Sequence, residues 1–201
     1  MKLYYSPGAC SLSPHIVLLE AALPATLVKT DLKTKRTAGG EDFLAINSKG
    51  TVPALVLDDG RLLTEGPAIV QYLADQKPEA ALAPRAGTFE RYQLMEMLNY
   101  ITSELHKGFG PLFAPGSAEA KKTATENLGR KFDWLCTHMA GRKYALGDAF
   151  SVADAYLFTV LRWTSHVGID LGGWPVLAAY LERVRQRPRV QEALKAEGLI
   201  R

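Results

Sequence analysis

Apolar and polar positions change rhythm once along the chain, near residue 80. Before that point, strand-like and helical stretches alternate. Lys2–Tyr5 (KLYY) reads as a strand and Ser6-Pro7-Gly8-Ala9 as a turn. Ser11–Ala22 is an apolar run that suits a helix, with Pro14 in its first turn, where a missing N–H is harmless. Leu23-Pro24 ends that helix, and Ala25–Asp31 (ATLVKTD) predicts a second strand. Leu32–Gly40 is polar and basic, which predicts a loop, and Glu41–Ile46 predicts a short helix. After the turn Asn47-Ser48-Lys49-Gly50, Ala54–Leu57 and Arg61–Thr64 flank Asp58-Asp59-Gly60, a hairpin signal. Pro67–Asp75 returns to helical spacing, with proline at a position where it favours a helix start. The order β-α-β-α-β-β-α predicts an α/β unit with a four-stranded mixed sheet and helices on its faces.

Pro78–Gly87 breaks this alternation. Beyond it the spacing is helical throughout, in runs over Thr88–Lys107, Ser117–Gly141, Ser151–Val167, Trp174–Arg187 and Val190–Glu197, with a Gly/Pro break at Gly108–Gly116. The chain therefore divides into an α/β domain over 1–80, a linker over 81–87 and an all-α domain over 88–201.

Composition narrows the partners. Of 201 residues, 47% are hydrophobic and 22% charged, an ordinary globular balance. Net charge is +3, from 24 basic and 21 acidic residues, too even to imply nucleic-acid binding. No window approaches a membrane span and the N-terminus has no apolar leader, so a cytoplasmic location without membrane attachment is expected. The two cysteines (Cys10, Cys136) and four histidines (His15, His106, His138, His166) have no metal-binding spacing, and no metal site is expected. Cys136, at helical spacing in FDWLCTHM, reads as a packed residue.

Four places carry candidate chemistry. Cys10 falls where a strand ends and a helix begins, where free N–H groups and the helix dipole favour a thiolate. The competing reading is a small buried apolar residue. Val52-Pro53 opens a strand, and a peptide-like ligand could pair with the Val52 backbone as an added strand, unless this is an ordinary turn proline. Thr64-Glu65-Gly66-Pro67 opens a helix. Such an end binds carboxylates, Gly66 allows close approach, and Glu65 can accept from an ammonium group or simply cap the helix. Asn99, Ser103 and His106 fall at i, i+4 and i+7, one polar stripe that lines a cleft or faces solvent, with Glu104 and Lys107 on other faces. Ser151-Val152-Ala153-Asp154 is a capping box before a helix that is apolar nearly all round, and its role is structural.

Together these features resemble the cytosolic glutathione S-transferases: a thioredoxin-like N-terminal domain, a Val-Pro strand start, an E-G-P-A-I helix start and an all-helical domain carrying S-V-A-D. SPGACSLSPHI, NYITSELHKGFGPLF and QEALKAEGLI are similar to the bacterial beta class. The resemblance covers essentially the whole chain. It implies a cis Pro53, with Val52 pairing the cysteinyl backbone of glutathione, Glu65 and Gly66 holding its γ-glutamyl end, and Lys35 near its glycyl carboxylate. It further implies that Cys10 can form a mixed disulfide with glutathione, and that Asn99, Ser103, Glu104 and His106 complete the site. The acidic Glu104 implies a homodimer. Where many members have Ser after the acidic residue, this chain has Gly66. Cys10, Ser11 and His106 all stand as groups that would lower the thiol pKa of bound glutathione. Tyr4, Tyr5 and Ser6 lie nearby.

The implied activity is conjugation of glutathione to small hydrophobic electrophiles, with thiol transfer or peroxide reduction through Cys10. Cys10-Ser11-Leu12-Ser13 has one thiol where a dithiol oxidoreductase has two, which excludes a two-cysteine cycle within the motif. A carrier that binds apolar ligands without turnover is the alternative. Phe109, Leu112, Phe113, Tyr156 and Trp163 are candidates to line an apolar pocket and equally candidates for core.

Overall fold

A computed structural model describes residues 1–201 as two compact units, Met1–Ala83 with Arg187–Arg201, and Pro84–Gln186. The first unit is built on a sheet of five strands: β1 (Lys2–Tyr5), β2 (Thr26–Asp31), β3 (Arg36–Thr37), β4 (Ala54–Val56) and β5 (Leu62–Thr64), in the order β3-β2-β1-β4-β5. β1 pairs in parallel with β2 (Leu3 opposite Leu27) and antiparallel with β4 (Leu3 opposite Leu55). The βαβ crossover through α1 (Leu12–Glu20) therefore sits beside the β4–β5 hairpin, whose register sets Leu55 opposite Leu63. The four-stranded expectation is corrected by β3. It is two residues long and lies in the stretch read as a loop, too short to show alternation.

Central position explains why β1 is nearly all apolar. Leu3, Tyr4 and Tyr5 are buried on both faces of the sheet, and Tyr4 packs with Phe43 of α2 (Phe43–Ile46). α1 is buried all round from Leu12 to Leu18, because it packs against α3 (Gly66–Gln76) and against α10 (Pro188–Ala196). α10 was expected in the all-helical domain. The structure instead returns Arg187–Arg201 to the first unit. Arg187 forks onto Glu20 at 2.7 and 2.9 Å, and the Glu197 carboxylate reaches both α1 and the loop before it.

The second unit is helical: α4 (Phe89–Tyr100), a π-helical segment over Ile101–His106, α5 (Lys107–Phe113), α6 (Ala118–Met139), α7 (Val152–Leu161), α8 (Trp163–Val167) and α9 (Pro175–Arg185). Three boundaries depart from the sequence reading, one of them the run over Ser151–Val167, which divides at Arg162 into α7 and α8. The break expected from Gly108 is deferred, since α5 runs on to Phe113 with Pro111 inside it. The run expected to be continuous over Thr88–Lys107 is interrupted by the π segment. α7 is buried at every position. Its start is fixed by Asp154, which accepts from Ser151 N–H (2.9 Å), Ser151 Oγ–H (3.0 Å), Ala145 N–H (2.7 Å) and the Tyr180 hydroxyl (3.0 Å). No helix is long and apolar enough to cross a membrane.

Candidate functional site

In the first unit, the loop from Ser6 to Cys10 is wound tightly ahead of α1. Ala9 N–H donates to Ser6 O and Leu12 N–H to Ala9 O, while Ser13 Oγ–H donates to Cys10 O. Ser11 is fully buried. Its Oγ accepts from Ser6 N–H at 3.1 Å and donates to Ser6 O at 3.2 Å, so this hydroxyl closes the turn and has no hydrogen left for a ligand. Tyr4 and Tyr5 are buried, and burial raises the pKa of each phenol above its ordinary value. The structure thus removes Ser11 from the groups that would activate a thiol, and keeps both tyrosines protonated near neutral pH.

Cys10 Sγ–H donates to the Val52 carbonyl at 3.1 Å, which brings the predicted thiol to the predicted peptide edge. The Val52–Pro53 bond is cis, as the resemblance implies. Asn47 braces the loop that delivers Val52: its Nδ2 donates to Thr51 O at 2.8 Å and its Oδ1 accepts from Lys49 N–H. The thiolate expectation for Cys10 is corrected. Hydrogen bonds from the Cys10 and Ser11 backbone do lower its pKa, as a helix start should, but burial outweighs them and the Glu65 charge opposes them too, so the thiol is pushed up to about 11. At neutral pH Cys10 is a protonated donor.

Glu65 and Gly66 begin α3. Glu65 does not cap that helix with its side chain. Its backbone stands at φ 69°, ψ 115°, and its exposed carboxylate pairs with Lys49 Nζ at 2.7 Å, which also donates to Thr64 Oγ1. A positive φ on a non-glycine residue is strained, and such strain gathers at ligand sites. A Cβ on Gly66 would come no closer than 4.0 Å to Pro53 Cγ, so glycine is not required there by crowding; its value is access to the helix start. Lys35 also has a positive φ (56°), and its Nζ donates to Gly50 O at 2.8 Å, beside the loop that carries Val52. Lys49 carried no sequence signal, since a lysine in a polar turn reads as solvated.

The remaining predicted residues lie in the second unit. Asn99 and Ser103 are exposed, and Glu104 and His106 are partly buried. The π segment changes the helical register between them, so the stripe expected from 3.6-residue spacing is not preserved as such. Glu104 is held within its own unit: Lys131 Nζ lies 2.7 Å from its carboxylate and donates to its carbonyl at 2.9 Å. This lowers the Glu104 pKa through the Lys131 hydrogen bond and charge. His106 Nδ1 lies 2.6 Å from Tyr156 Oη, and its ring meets Trp163 edge-on at 4.8 Å. Burial, with Lys107 adding, lowers its pKa, so the ring is neutral at pH 7. Of the apolar candidates, Phe109, Tyr156 and Trp163 are core, Leu112 is partly buried and Phe113 is exposed. Phe109 and Phe113 both meet the Trp163 ring edge-on. No group of three or more His, Cys, Asp or Glu side chains is placed to hold a metal ion.

The likeness to known proteins runs over nearly the whole chain. Family models match at residues 8–76 (glutathione S-transferase, N-terminal domain) and 100–188 (glutathione S-transferase, C-terminal domain). The chain is 50% identical over 200 residues to the glutathione S-transferase GstA of Escherichia coli O157:H7, covering 99% of this chain and 100% of that one. A sphingomonad glutathione S-transferase solved in complex with glutathione superposes with a TM-score of 0.96 at 51% identity, over 100% of both chains. The bacterial beta-class glutathione S-transferase of Sphingomonas chungbukensis does so with a TM-score of 0.96 at 53% identity, again over 100% of both.

Proposed function

The chain belongs to the glutathione S-transferase family, and from that premise we propose that it conjugates glutathione to small hydrophobic electrophiles. The observation that carries this reading is the Cys10 Sγ–Val52 carbonyl approach of 3.1 Å, a sulfur beside a backbone edge where a thiol tripeptide can pair as an added strand. Glutathione is the co-substrate. Val52 pairs the cysteinyl backbone. Glu65 and Gly66 receive the γ-glutamyl end, with Lys49 holding the Glu65 carboxylate in place. Lys35 sits by the glycyl carboxylate. Asn99, Ser103, Glu104 and His106 of the second unit complete the binding set. The Cys10 S–H turns from the Val52 carbonyl to the glutathione sulfur, and it and His106, both neutral at pH 7, donate hydrogen bonds that favour the glutathione thiolate, which attacks the electrophilic carbon. The protein works as a cytoplasmic homodimer.

A second activity has its own support. A single thiol at the peptide edge suits a mixed disulfide: Cys10 displaces one thiolate from a glutathione-containing disulfide and forms an S–S bond to glutathione, and a second glutathione thiolate resolves it. The pKa near 11 makes this step slow until a ligand or high pH removes the proton.

The test is a panel of electrophiles, disulfides and peroxides, each with glutathione, on the wild type and Cys10→Ala. Conjugation weakened but not abolished in Cys10→Ala, with disulfide reduction lost, supports both assignments. Glutathione or dye binding with no turnover of any electrophile would identify a carrier and refute conjugation. Mass spectrometry after mild oxidation should show one glutathione on Cys10, removable by reductant. Sedimentation should give the mass of a dimer, and a monomer mass would refute that assignment.

A further inference from the structure

His106 closes the π-helical segment, and the group that holds it comes from another helix. Tyr156, only 2% exposed on α7, brings its Oη to 2.6 Å from His106 Nδ1. A phenol is a stronger acid than a neutral imidazole N–H, and an imidazole nitrogen is a stronger base than a phenol oxygen. The bond therefore runs from Tyr156 O–H to Nδ1. An imidazole that accepts at Nδ1 carries its hydrogen on Nε2. Burial keeps the ring neutral at pH 7, so the Nδ1 lone pair is there to accept. Trp163 limits rotation of the ring from its side, with the planes at 71°. α7 is itself pinned by the four hydrogen bonds to Asp154, so the Tyr156 hydroxyl has a fixed place from which to donate.

We propose that Tyr156 is a positioning residue for the glutathione reaction: its hydroxyl donates to His106 Nδ1 and so fixes Nε2 as the nitrogen whose hydrogen is offered to the glutathione sulfur as negative charge develops there. This rests on the reading, given above, that His106 serves bound glutathione. Without the hydroxyl the ring divides between two tautomers, and only one of them presents a donor at Nε2.

Tyr156→Phe tests it by removing one oxygen. The kcat of conjugation should fall about tenfold while the glutathione KM stays within about twofold, since the bond acts on the charge formed when the bound thiol ionises and not on the contacts that hold the tripeptide. Nitrogen-15 spectra of the histidines at pH 7, with the His106 signals identified by their absence in His106→Gln, should show an Nε2–H tautomer in the wild type and a mixture in Tyr156→Phe. In His106→Gln the amide nitrogen stands where Nε2 stood and nothing remains for Tyr156 to orient. Adding Tyr156→Phe to that background should then change kcat by less than about twofold. A larger added loss means Tyr156 acts by some other route and overturns the proposal, as does an unchanged kcat in Tyr156→Phe when His106→Gln alone is impaired. If His106→Gln conjugates like the wild type, the role of His106 fails first and this inference falls with it. If Tyr156→Phe does not fold, the wild-type spectrum decides, because an Nδ1–H tautomer overturns the proposal.

Discussion

Glu197 Oε1 and His15 Nδ1 lie 2.9 Å apart in the interior of the first unit, and the other Glu197 oxygen accepts from the Gly8 N–H at 2.8 Å. One carboxylate near the C-terminus thus ties α1 to the loop that leads into Cys10. Both side chains are almost fully buried, so removing the acid strands the imidazole nitrogen away from water. Glu197→Ala should cost about 3 kcal/mol, in the range for breaking a buried pair. Glu197→Gln keeps one acceptor and should cost less. Urea denaturation of both variants measures the difference, and an Ala variant as stable as the wild type would sink the assignment.

The protonated state of Cys10 has a kinetic signature. With the thiol pushed up to about 11, alkylation by iodoacetamide in the absence of glutathione should rise with each pH step between 7 and 10 without a plateau. At pH 7 the rate should be about a hundredfold below that of an unperturbed thiol, from the difference in thiolate fraction. The folded-state pKa is raised, so the linked stability is complete below the unfolded thiol value and is lost as pH rises towards 11. A rate that levels off near pH 8 would contradict the burial argument.

Glu65 offers a test that separates strain from binding. Its φ of 69° suits glycine, so Glu65→Gly should be more stable than Glu65→Ala by about 1–2 kcal/mol. Both should bind glutathione more weakly than the wild type, because both lose the carboxylate. Thermal melting and a glutathione titration on the pair distinguish the two effects. Equal melting temperatures for Gly and Ala would remove the strain.

Asp154 serves more than a helix cap. It accepts from two backbone N–H groups and two hydroxyls, with no exposure to water. Asp154→Ala should cost about 3–4 kcal/mol, more than the roughly 1 kcal/mol of an ordinary lost cap. Asp154→Asn puts an amide N–H where donors converge, and should also lower the urea midpoint. An unchanged midpoint in both would refute the network.

Much of this was legible in the residues. Asp58-Asp59-Gly60 announced the β4–β5 hairpin, and the apolar run after Ser11 announced α1. Cys10, Val52 and Glu65 were each singled out by their place at an element boundary. The sum at Cys10 was not legible. The helix-start effect acts in the expected direction, but burial and the Glu65 charge depend on residues 42 and more positions away, which no local pattern records. The π segment was hidden because an extra residue in a helical turn leaves the apolar spacing almost intact. The home of α10 was hidden because an amphipathic stripe says that a partner exists without saying which. Tyr156 read as apolar filling for the same reason: its hydroxyl acquires meaning only when His106, 50 residues earlier, is brought to it.

The return of α10 to the first unit also sets an order of events during synthesis. Gly8 and Glu197 are 189 residues apart, and α1 waits for a helix that is made that much later. The sheet strands and the whole of Pro84–Gln186 leave the ribosome before the carboxylate that secures the Cys10 loop exists. The N-terminal unit, first to be translated, is therefore last to be completed, and a nascent chain halted before Arg187 carries the cysteine without the clamp that shapes its loop.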